Sequence, residues 1–341
     1  MFFVLSGFLI TSLMLREKVL TGTISLKTFW KKRARRILPA AATVLLVCAA
    51  VAGFFQGDVT VDLGRQVLTG LLFVNNWGQI AASQSYFAGP ELFAHFWSLS
   101  VEEQFYVLWP LVLVSLLAAV GVRRMGIVVV ACTVGAVSSL ARMVALYAPG
   151  DDPTRVYYGT DTHAFGLLLG AALAAWLIRT RDDERVWQPR PHTGAGRWAA
   201  TTVELVGLVG FAMLITCLRG DNPAAYQGGL FCASLCMIAM LHGAIKSNPV
   251  ITTLFTLWPM RKLGAVSYSL YLWHWPVYVF VRSSISDAAL AGLVALALSL
   301  VLAEVSFRCV EEPFRRKGTS RWDVACSLRT PADPWSELGC S

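Results

Sequence analysis

Charged residues are scarce in this chain: Asp, Glu, Lys and Arg together make up 15% of its 341 residues. A soluble domain of this length needs a charged surface around its core, so this composition excludes that class. Hydrophobic residues make up 56% of the chain, and the mean hydropathy is +0.57. The sequence therefore predicts an all-α fold, a polytopic bundle of transmembrane helices.

Other absences narrow the function. None of the eight Cys residues forms a CxxC pair, and no Cys/His cluster has the spacing of a zinc site, so we expect no metal and no bound cofactor. The net charge of +8 comes without a nucleic-acid-binding motif. We therefore expect basic loops beside anionic lipid headgroups, and no nucleic acid as a partner.

The chain contains ten apolar segments, most of them about as long as the roughly 20 residues that a helix needs to cross a bilayer. They lie near 1–15, 37–56, 66–82, 96–120, 125–148, 162–179, 199–218, 228–246, 262–281 and 287–309.

The distribution of Lys and Arg tests the topology of these segments. If the loop 16–36 is cytoplasmic and 66–82 does not span, 24 of the 29 Lys and Arg residues lie inside and five outside. If 66–82 spans, the split becomes 12 inside and 17 outside, against the positive-inside rule. We therefore predict nine spans, a re-entrant or non-spanning segment over 57–95 on the outer side, and a cytoplasmic C-terminus in the cell membrane. The re-entrant segment carries Asn75 and Asn76, which are tolerated at membrane depth only when protein covers them.

Two adjacent carboxylates, Glu102 and Glu103, stand near the start of the apolar stretch 96–120. An ionised carboxylate in hydrocarbon costs roughly 2.5–3.5 kcal/mol on insertion scales, so such residues indicate a functional interior. Neighbouring helical residues point about 100° apart, so the two do not serve one pocket equally. One interpretation is structural pairing, and the other is that they position or polarise an acceptor hydroxyl. Ser98 lies one turn earlier on the face of Glu102.

A polar stripe runs down the apolar segment 262–281. Tyr271 and His274 are central in it, with Ser267 and Tyr278 at matching helical spacing. A histidine inside a membrane is either a hydrogen-bonded packing residue or part of a proton relay or substrate contact, and both interpretations stay open.

The basic run 31–36 stands at the cytoplasmic start of a span. Arg33, Arg35 and Arg36 are candidates to clamp the phosphates of a donor cofactor, because guanidinium groups engage phosphate bidentately. The alternative is that they only orient the helix and bind lipid headgroups.

Asp161 and His163 lie at the outer mouth of the segment 162–179, where they can contact an acceptor sugar. A turn followed by a helix N-cap explains the Gly159–Asp161 stretch equally well. His95 carries a weaker signal, and Ser6 with Gly7 predicts close helix packing.

Six stretches combine into a recognisable order. They are FFVLSGFLIT (2–11), KKRARRILP (31–39), HFWSLSVEEQFYVLWP (95–110), YYGTDTHAFGLLLG (157–170), SYSLYLWHWPV (267–277) and VEEPFRRK (310–317). Together they resemble the acyltransferase-3 family of integral membrane acyltransferases, over residues 1–317. Residues 318–341 are then a cytoplasmic tail.

This resemblance implies an acyltransferase. The family moves acetyl or other short acyl groups from cytoplasmic acyl-CoA to hydroxyls of cell-surface glycans, glycolipids or secreted metabolites. Acyl-CoA would thus be a co-substrate, and the bilayer and a carbohydrate or glycolipid acceptor would be the partners. The resemblance also places functional arginines at Arg33 and Arg36. From the residues themselves we expect supporting catalytic roles for Glu102, Glu103 and His274, and acceptor contacts for Ser98, Asp161 and Tyr271.

The family has one more span than we count, ahead of the first one here, and that span carries its catalytic histidine. No histidine of this chain occupies the corresponding position. We expect either a start that omits this span or a catalytically inactive, donor-binding remnant. A secondary transporter of a glycan or lipid intermediate is the alternative from another class, since intramembrane carboxylates suit proton-coupled transport as well.

Overall fold

A computed structural model describes residues 2–55, 61–82, 91–179, 195–218, 222–246 and 256–316 of the chain. Every regular element within these ranges is helical, and none is a strand. The all-α prediction is therefore confirmed. The predicted boundary at residue 317 and the tail that follows lie outside the described residues.

Thirteen helices follow one another along the described chain. They are α1 (Phe2–Thr21), α2 (Leu26–Ala52), α3 (Leu63–Leu71), α4 (Asn75–Ala81), α5 (Phe96–Val120), α6 (Met125–Leu146), α7 (Thr154–Tyr158), α8 (Thr160–Arg179), α9 (Ala195–Cys217), α10 (Leu230–Lys246), α11 (Trp258–Ser284), α12 (Ala288–Ser306) and α13 (Glu312–Arg316). A short 3₁₀ turn precedes α6 at Val122–Arg124. Turns of π-helix precede α10 and α13, at Ala225–Gly229 and Phe307–Glu311.

Seven stretches of the described chain are long and apolar enough to cross a membrane. They are Leu26–Ala52, Phe96–Val120, Met125–Leu146, Thr154–Ile178, Trp198–Cys217, Ala225–Ile245 and Ala288–Arg315. Two of the nine predicted spans, α1 and α11, do not meet this criterion. The helix α1 includes the charged run Arg16–Lys18 near its end, and α11 carries Tyr, Trp and His side chains through its middle.

The prediction that the whole of 16–36 is a loop is wrong. The helix α1 continues to Thr21 and α2 begins at Leu26, so only four residues connect them. Ser25 ends this connection as an N-cap, because its hydroxyl accepts a hydrogen bond from the Thr28 amide. The basic residues of 31–36 therefore belong to the first turns of a long helix.

The segment predicted not to span forms two short helices, α3 and α4, and neither is long enough to cross a bilayer. The chain breaks between them at Phe73, whose φ of 53° lies in the left-handed region. Asn75 and Asn76 are fully buried, as predicted for polar residues at this position. The prediction that 66–82 is not a single spanning helix is confirmed.

The chain divides into two compact units. The first unit comprises residues 1–24 and 101–256, in which α8 packs against α1 and α6, and α9 packs against α10. A Cβ atom added to Gly7 would lie 1.9 Å from the Leu167 carbonyl oxygen, and one added to Gly170 would lie 2.0 Å from that of Val4. The helices α1 and α8 therefore touch backbone to backbone, which confirms the packing predicted from Ser6 and Gly7.

The second unit comprises residues 25–100 and 257–341, within the described ranges. Its helix α11 packs against α12, and a hydrophobic core joins α2, the segment before α5, α11 and α12. The segment Leu92–Phe96 is buried throughout. The buried backbone N–H and C=O groups of this segment need hydrogen-bond partners. The side chains that supply them lie at the candidate site described below.

Candidate functional site

A chain of hydrogen bonds links Ser98, Tyr271 and His95 in the second unit. The phenol of Tyr271 donates to the backbone carbonyl of His95, so its oxygen accepts from the Ser98 hydroxyl, at 2.8 Å. Two predicted substrate contacts, Ser98 and Tyr271, are thus brought together. The Ser98 proton is thus engaged by the Tyr271 oxygen, and the Tyr271 proton by the backbone carbonyl of His95.

Two imidazoles complete this cluster. The ring centroids of His95 and His274 lie 5.4 Å apart, and that of Tyr271 lies 5.5 Å from each. We call Ser98, Tyr271, His95 and His274 the imidazole cluster.

Backbone carbonyls determine the tautomers of both rings. Nε2 of His95 lies 3.2 Å from the Leu272 oxygen, and Nδ1 of His274 lies 2.6 Å from the Tyr271 oxygen. A carbonyl oxygen only accepts, so each of these nitrogens carries its proton. A bare lone pair therefore remains on Nδ1 of His95 and on Nε2 of His274 when the rings are neutral. Within the described part of the chain, the buried Nδ1 of His95 has no hydrogen-bond partner.

Burial lowers the pKa of His95 well below its ordinary value, and the neighbouring His274 lowers it further. His95 is therefore neutral at physiological pH. His95 carried little weight in the sequence analysis because a histidine in a loop has no helical register. Its place directly before the FWSLS motif was the available signal.

An ionic and amide network holds the segment that carries His95. The Glu91 carboxylate pairs with Arg65 at 2.9 Å and also accepts from Gln79, while the Glu91 carbonyl accepts from the Trp275 indole at 2.8 Å. One residue thus joins α3, α4 and α11. Sequence reasoning missed Glu91 because each of its partners is remote along the chain.

The first unit contains Glu102. Its Oε1 accepts a hydrogen bond from the Ser6 hydroxyl at 2.9 Å, and its Oε2 accepts from Tyr106 at 3.4 Å. The adjacent Glu103 is also half-buried. Glu102 therefore connects α5 to α1, and this geometry matches the structural-pairing interpretation of the carboxylate. The predicted roles of both glutamates in catalysis stay predictions.

Asp161 lies in the first turn of α8 between two arginines of the first unit. Arg155 binds its carboxylate with both terminal nitrogens, at 3.0 and 2.8 Å, and Arg142 is a second ion-pair partner. The helix begins at Thr160, so Asp161 is not its N-cap. The carboxylate that was predicted to contact an acceptor is thus already bidentately paired.

The predicted phosphate clamp lies on α2. Arg33, Arg35 and Arg36 are all half-buried, and the Arg33 guanidinium lies 5.9 Å from the centroid of the Phe29 ring. Half-burial differs from the full exposure expected of residues that only meet lipid headgroups. No cluster of three or more His, Cys, Asp or Glu side chains within the described ranges is arranged to hold a metal.

These observations define a class: a helical membrane protein with a buried and a half-buried imidazole side by side and a half-buried arginine run. The acyltransferase-domain model of the acyltransferase-3 family matches residues 1–306. The chain belongs to this family, and the resemblance that was inferred from its motifs is confirmed.

The chain is also similar to curated O-acetyltransferases. The chain is 32% identical over 326 residues to the O-acetyltransferase OatA of Staphylococcus aureus strain NCTC 8325 / PS 47, and equally to that of strain COL. The match covers 93% of this chain and 52% of each relative, so the chain spans about half the length of these relatives. No solved structure matches the chain significantly.

Proposed function

We propose that this chain is the acyl-transferring membrane part of an O-acetyltransferase. It would move an acetyl or other short acyl group from acyl-CoA to a hydroxyl of a cell-surface glycan, glycolipid or secreted metabolite. The observation that carries this proposal is the family match over residues 1–306, which includes both motifs that form the imidazole cluster. The relatives are O-acetyltransferases by name, and that activity is what we extend to this chain.

The reaction has a simple balance of bonds. The acceptor hydroxyl loses its proton to a base, and its oxygen forms an ester bond with the acyl carbonyl carbon. The carbon–sulfur bond of the thioester breaks, and the thiol of CoA leaves with a proton. No oxidant or reductant is needed.

The imidazole cluster supplies groups for the proton transfer. Neutral His274 has a bare Nε2, so it can accept a proton from an acceptor hydroxyl or pass one on. Glu102 acts in this proposal through its hydrogen bonds to Ser6 and Tyr106, as a positioning residue. Ser98 and Tyr271, which this cluster brings together, would contact the acceptor.

The sidedness of the reaction follows from charge. With the positive-inside distribution, the basic start of α2 faces the cytoplasm, where acyl-CoA is available. The acceptor would then approach from the opposite face of the cell membrane, and the C-terminus would be cytoplasmic.

Membranes containing the protein, incubated with radiolabelled acetyl-CoA and extracted cell-wall glycan, test this function. The expected result is alkali-labile label on the glycan, lost on His274→Ala. His242→Ala is the matched control, because the ring of this histidine lies 5.4 Å from that of Trp176 in α8, outside the imidazole cluster. Absence of label, together with pH-dependent glycan uptake into proteoliposomes, would instead favour the transporter.

A further inference from the structure

The segment Glu91–His95 is hydrogen-bonded to α11 at two points that flank His274. The Tyr271 phenol donates to the His95 carbonyl, and the Trp275 indole donates to the Glu91 carbonyl at 2.8 Å. The two acceptors are four residues apart on the segment, and the two donors are four residues apart on α11. His274 stands between these donors in the sequence, so α11 is held on both sides of it.

Both hydrogen bonds bear on the ring of His274. Its Nδ1 donates to the Tyr271 carbonyl at 2.6 Å, so a shift of Tyr271 along α11 also turns the imidazole. Trp275 is its direct neighbour in the chain. A misplacement of about 1 Å at a catalytic group can cost about 100-fold in rate, so the placement of these two carbonyls matters for the base.

The Glu91 carboxylate fixes the first residue of the segment. Its Oε1 accepts from Nη2 of Arg65 at 2.9 Å, and its Oε2 accepts from Nε2 of Gln79. Arg65 lies on α3 and also donates to the Gly78 carbonyl at 3.1 Å, while Gln79 lies on α4. Each of the two short helices therefore holds one oxygen of the same carboxylate.

These groups are largely shielded from water. The side chains of Arg65 and Glu91 are 25% and 19% exposed, and Gln79 is fully buried. Among the described residues, the Gln79 amide nitrogen donates to Glu91 alone, and its Oε1 has no partner. Water does not readily replace a partner that such a network loses, unlike a partner in a solvated surface pair.

The helix α3 also holds the middle of the segment. Oε1 of the fully buried Gln66 accepts from the Phe93 amide at 3.0 Å, and its Nε2 donates to the Val61 carbonyl at 2.9 Å. The short helices thus support the segment at Glu91 and Phe93, while α11 binds it at Glu91 and His95.

We propose that Glu91 is a positioning residue for acyl transfer. Its carboxylate holds the segment Glu91–His95 on α3 and α4, and the carbonyls of this segment hold α11 on either side of His274. The two helices that are too short to cross the membrane thereby set the direction of the bare Nε2 of His274. This inference rests on the proposed function, in which His274 transfers the proton.

A change of one charge tests this role. Glu91→Gln keeps the size of the side chain and one acceptor oxygen, and it removes the ion pair with Arg65. Glu304→Gln is the matched control in the same unit, because Glu304 on α12 also accepts from two cations, Lys262 at 2.8 Å and Arg308. The buried Glu311 is no control, since it accepts from Ser269 of α11 at 3.0 Å.

Transfer of acetyl groups from acetyl-CoA to cell-wall glycan measures the effect, with the protein in membranes. We expect Glu91→Gln to lower kcat about tenfold with KM for acetyl-CoA unchanged, because a misplaced base slows the reaction without weakening donor binding. Arg65→Gln should do the same, and the double variant should be no worse, since all three break one pair. Glu91→Asp, which keeps the charge, should recover part of the activity. Glu304→Gln should keep the parent kcat.

Chemical modification of His274 gives a readout that does not need catalysis. Diethylpyrocarbonate acylates a bare imidazole nitrogen, and mass spectrometry of the digested protein reports the rate at each histidine. His274 should react several-fold faster in Glu91→Gln and in Trp275→Phe than in the parent, because its ring is less firmly held. His242 on α10 is the internal reference and should react at the parent rate.

An unchanged kcat in an active preparation, or an unchanged modification rate of His274, overturns the role of Glu91. An equal loss of kcat in Glu304→Gln does so too, because the effect is then one of general stability. If Glu91→Gln does not fold, Trp275→Phe carries both measurements, and parent rates in it contradict the proposal. If the parent protein transfers no acetyl group, the proposed function fails, and the modification rates alone then decide whether Glu91 positions His274.

Discussion

The phenol of Tyr271 donates its hydrogen bond to the backbone carbonyl of His95, a residue 176 positions away in the sequence. This bond connects the two most specific motifs of the chain, one before α5 and one within α11. It also orders the imidazole cluster, because the carbonyl of the same tyrosine determines the tautomer of His274. Four predictions follow, two on this cluster and two on the first unit.

Tyr271→Phe should lower acyl transfer about tenfold and the free energy of unfolding by about 1 kcal/mol. The phenol satisfies the His95 carbonyl, and an intramolecular hydrogen bond contributes about that much. Acetyl transfer and thermal unfolding in detergent measure the two effects. Tyr278→Phe, two turns further along α11, is the control, and equal loss in both variants would contradict the assigned role of Tyr271.

Gly7→Ala should destabilise the first unit by about 2 kcal/mol or more, because overpacking of backbone against backbone forces the helices apart. Gly264→Ala in α11 is the control, since a Cβ atom there meets nothing within 4 Å. There the helix should gain up to about 1 kcal/mol from the better propensity of alanine. Equal melting temperatures for the two variants would show that α1 and α8 do not touch at Gly7.

The stability of the protein should fall as the pH drops below 6.5, the ordinary pKa of a histidine. The folded-state pKa of His95 is lowered, so the unfolded chain binds the proton first and acid favours unfolding. The contribution is fully present above pH 6.5 and is lost towards the lower folded-state pKa. Melting temperatures between pH 8 and 5 should slope less steeply in His95→Gln, and an unchanged slope contradicts the buried neutral imidazole.

Asp161→Asn separates a structural role from a substrate contact. We expect a fall of about 2 kcal/mol in stability, because a partly buried carboxylate leaves the Arg155 fork and Arg142 without their acceptor. Asp151→Asn is the control at an exposed position in the loop between α6 and α7. An unchanged melting temperature with a raised KM for the acceptor would instead support the predicted contact with the acceptor.

Much of the fold was predictable because a bilayer imposes length and polarity on each crossing. The apolar segments, the all-α class and the break within 57–95 follow from hydropathy and from the distribution of Lys and Arg. The end of α1 at Thr21 and the start of α2 at Leu26 were not predictable in this way, since charged residues outside the hydrocarbon are compatible with loop and helix alike.

Part of the candidate site was predictable from the sequence, and part was not. Tyr271 and His274 share a helix, so helical spacing alone placed them together. His95, Glu91 and Glu311 had no such periodicity. The sequence did not predict that Asp161 pairs with Arg142 and Arg155.

The sequence by itself determined that this chain is a helical membrane protein of the acyltransferase-3 family, because composition and motif order are properties of the chain read in one dimension. Only the tertiary structure decided which polar groups meet: His95 with Tyr271, Glu102 with Ser6, and Glu311 with Ser269. Such partners are set by helix packing between segments that are often far apart along the chain. No local pattern of residues encodes that packing.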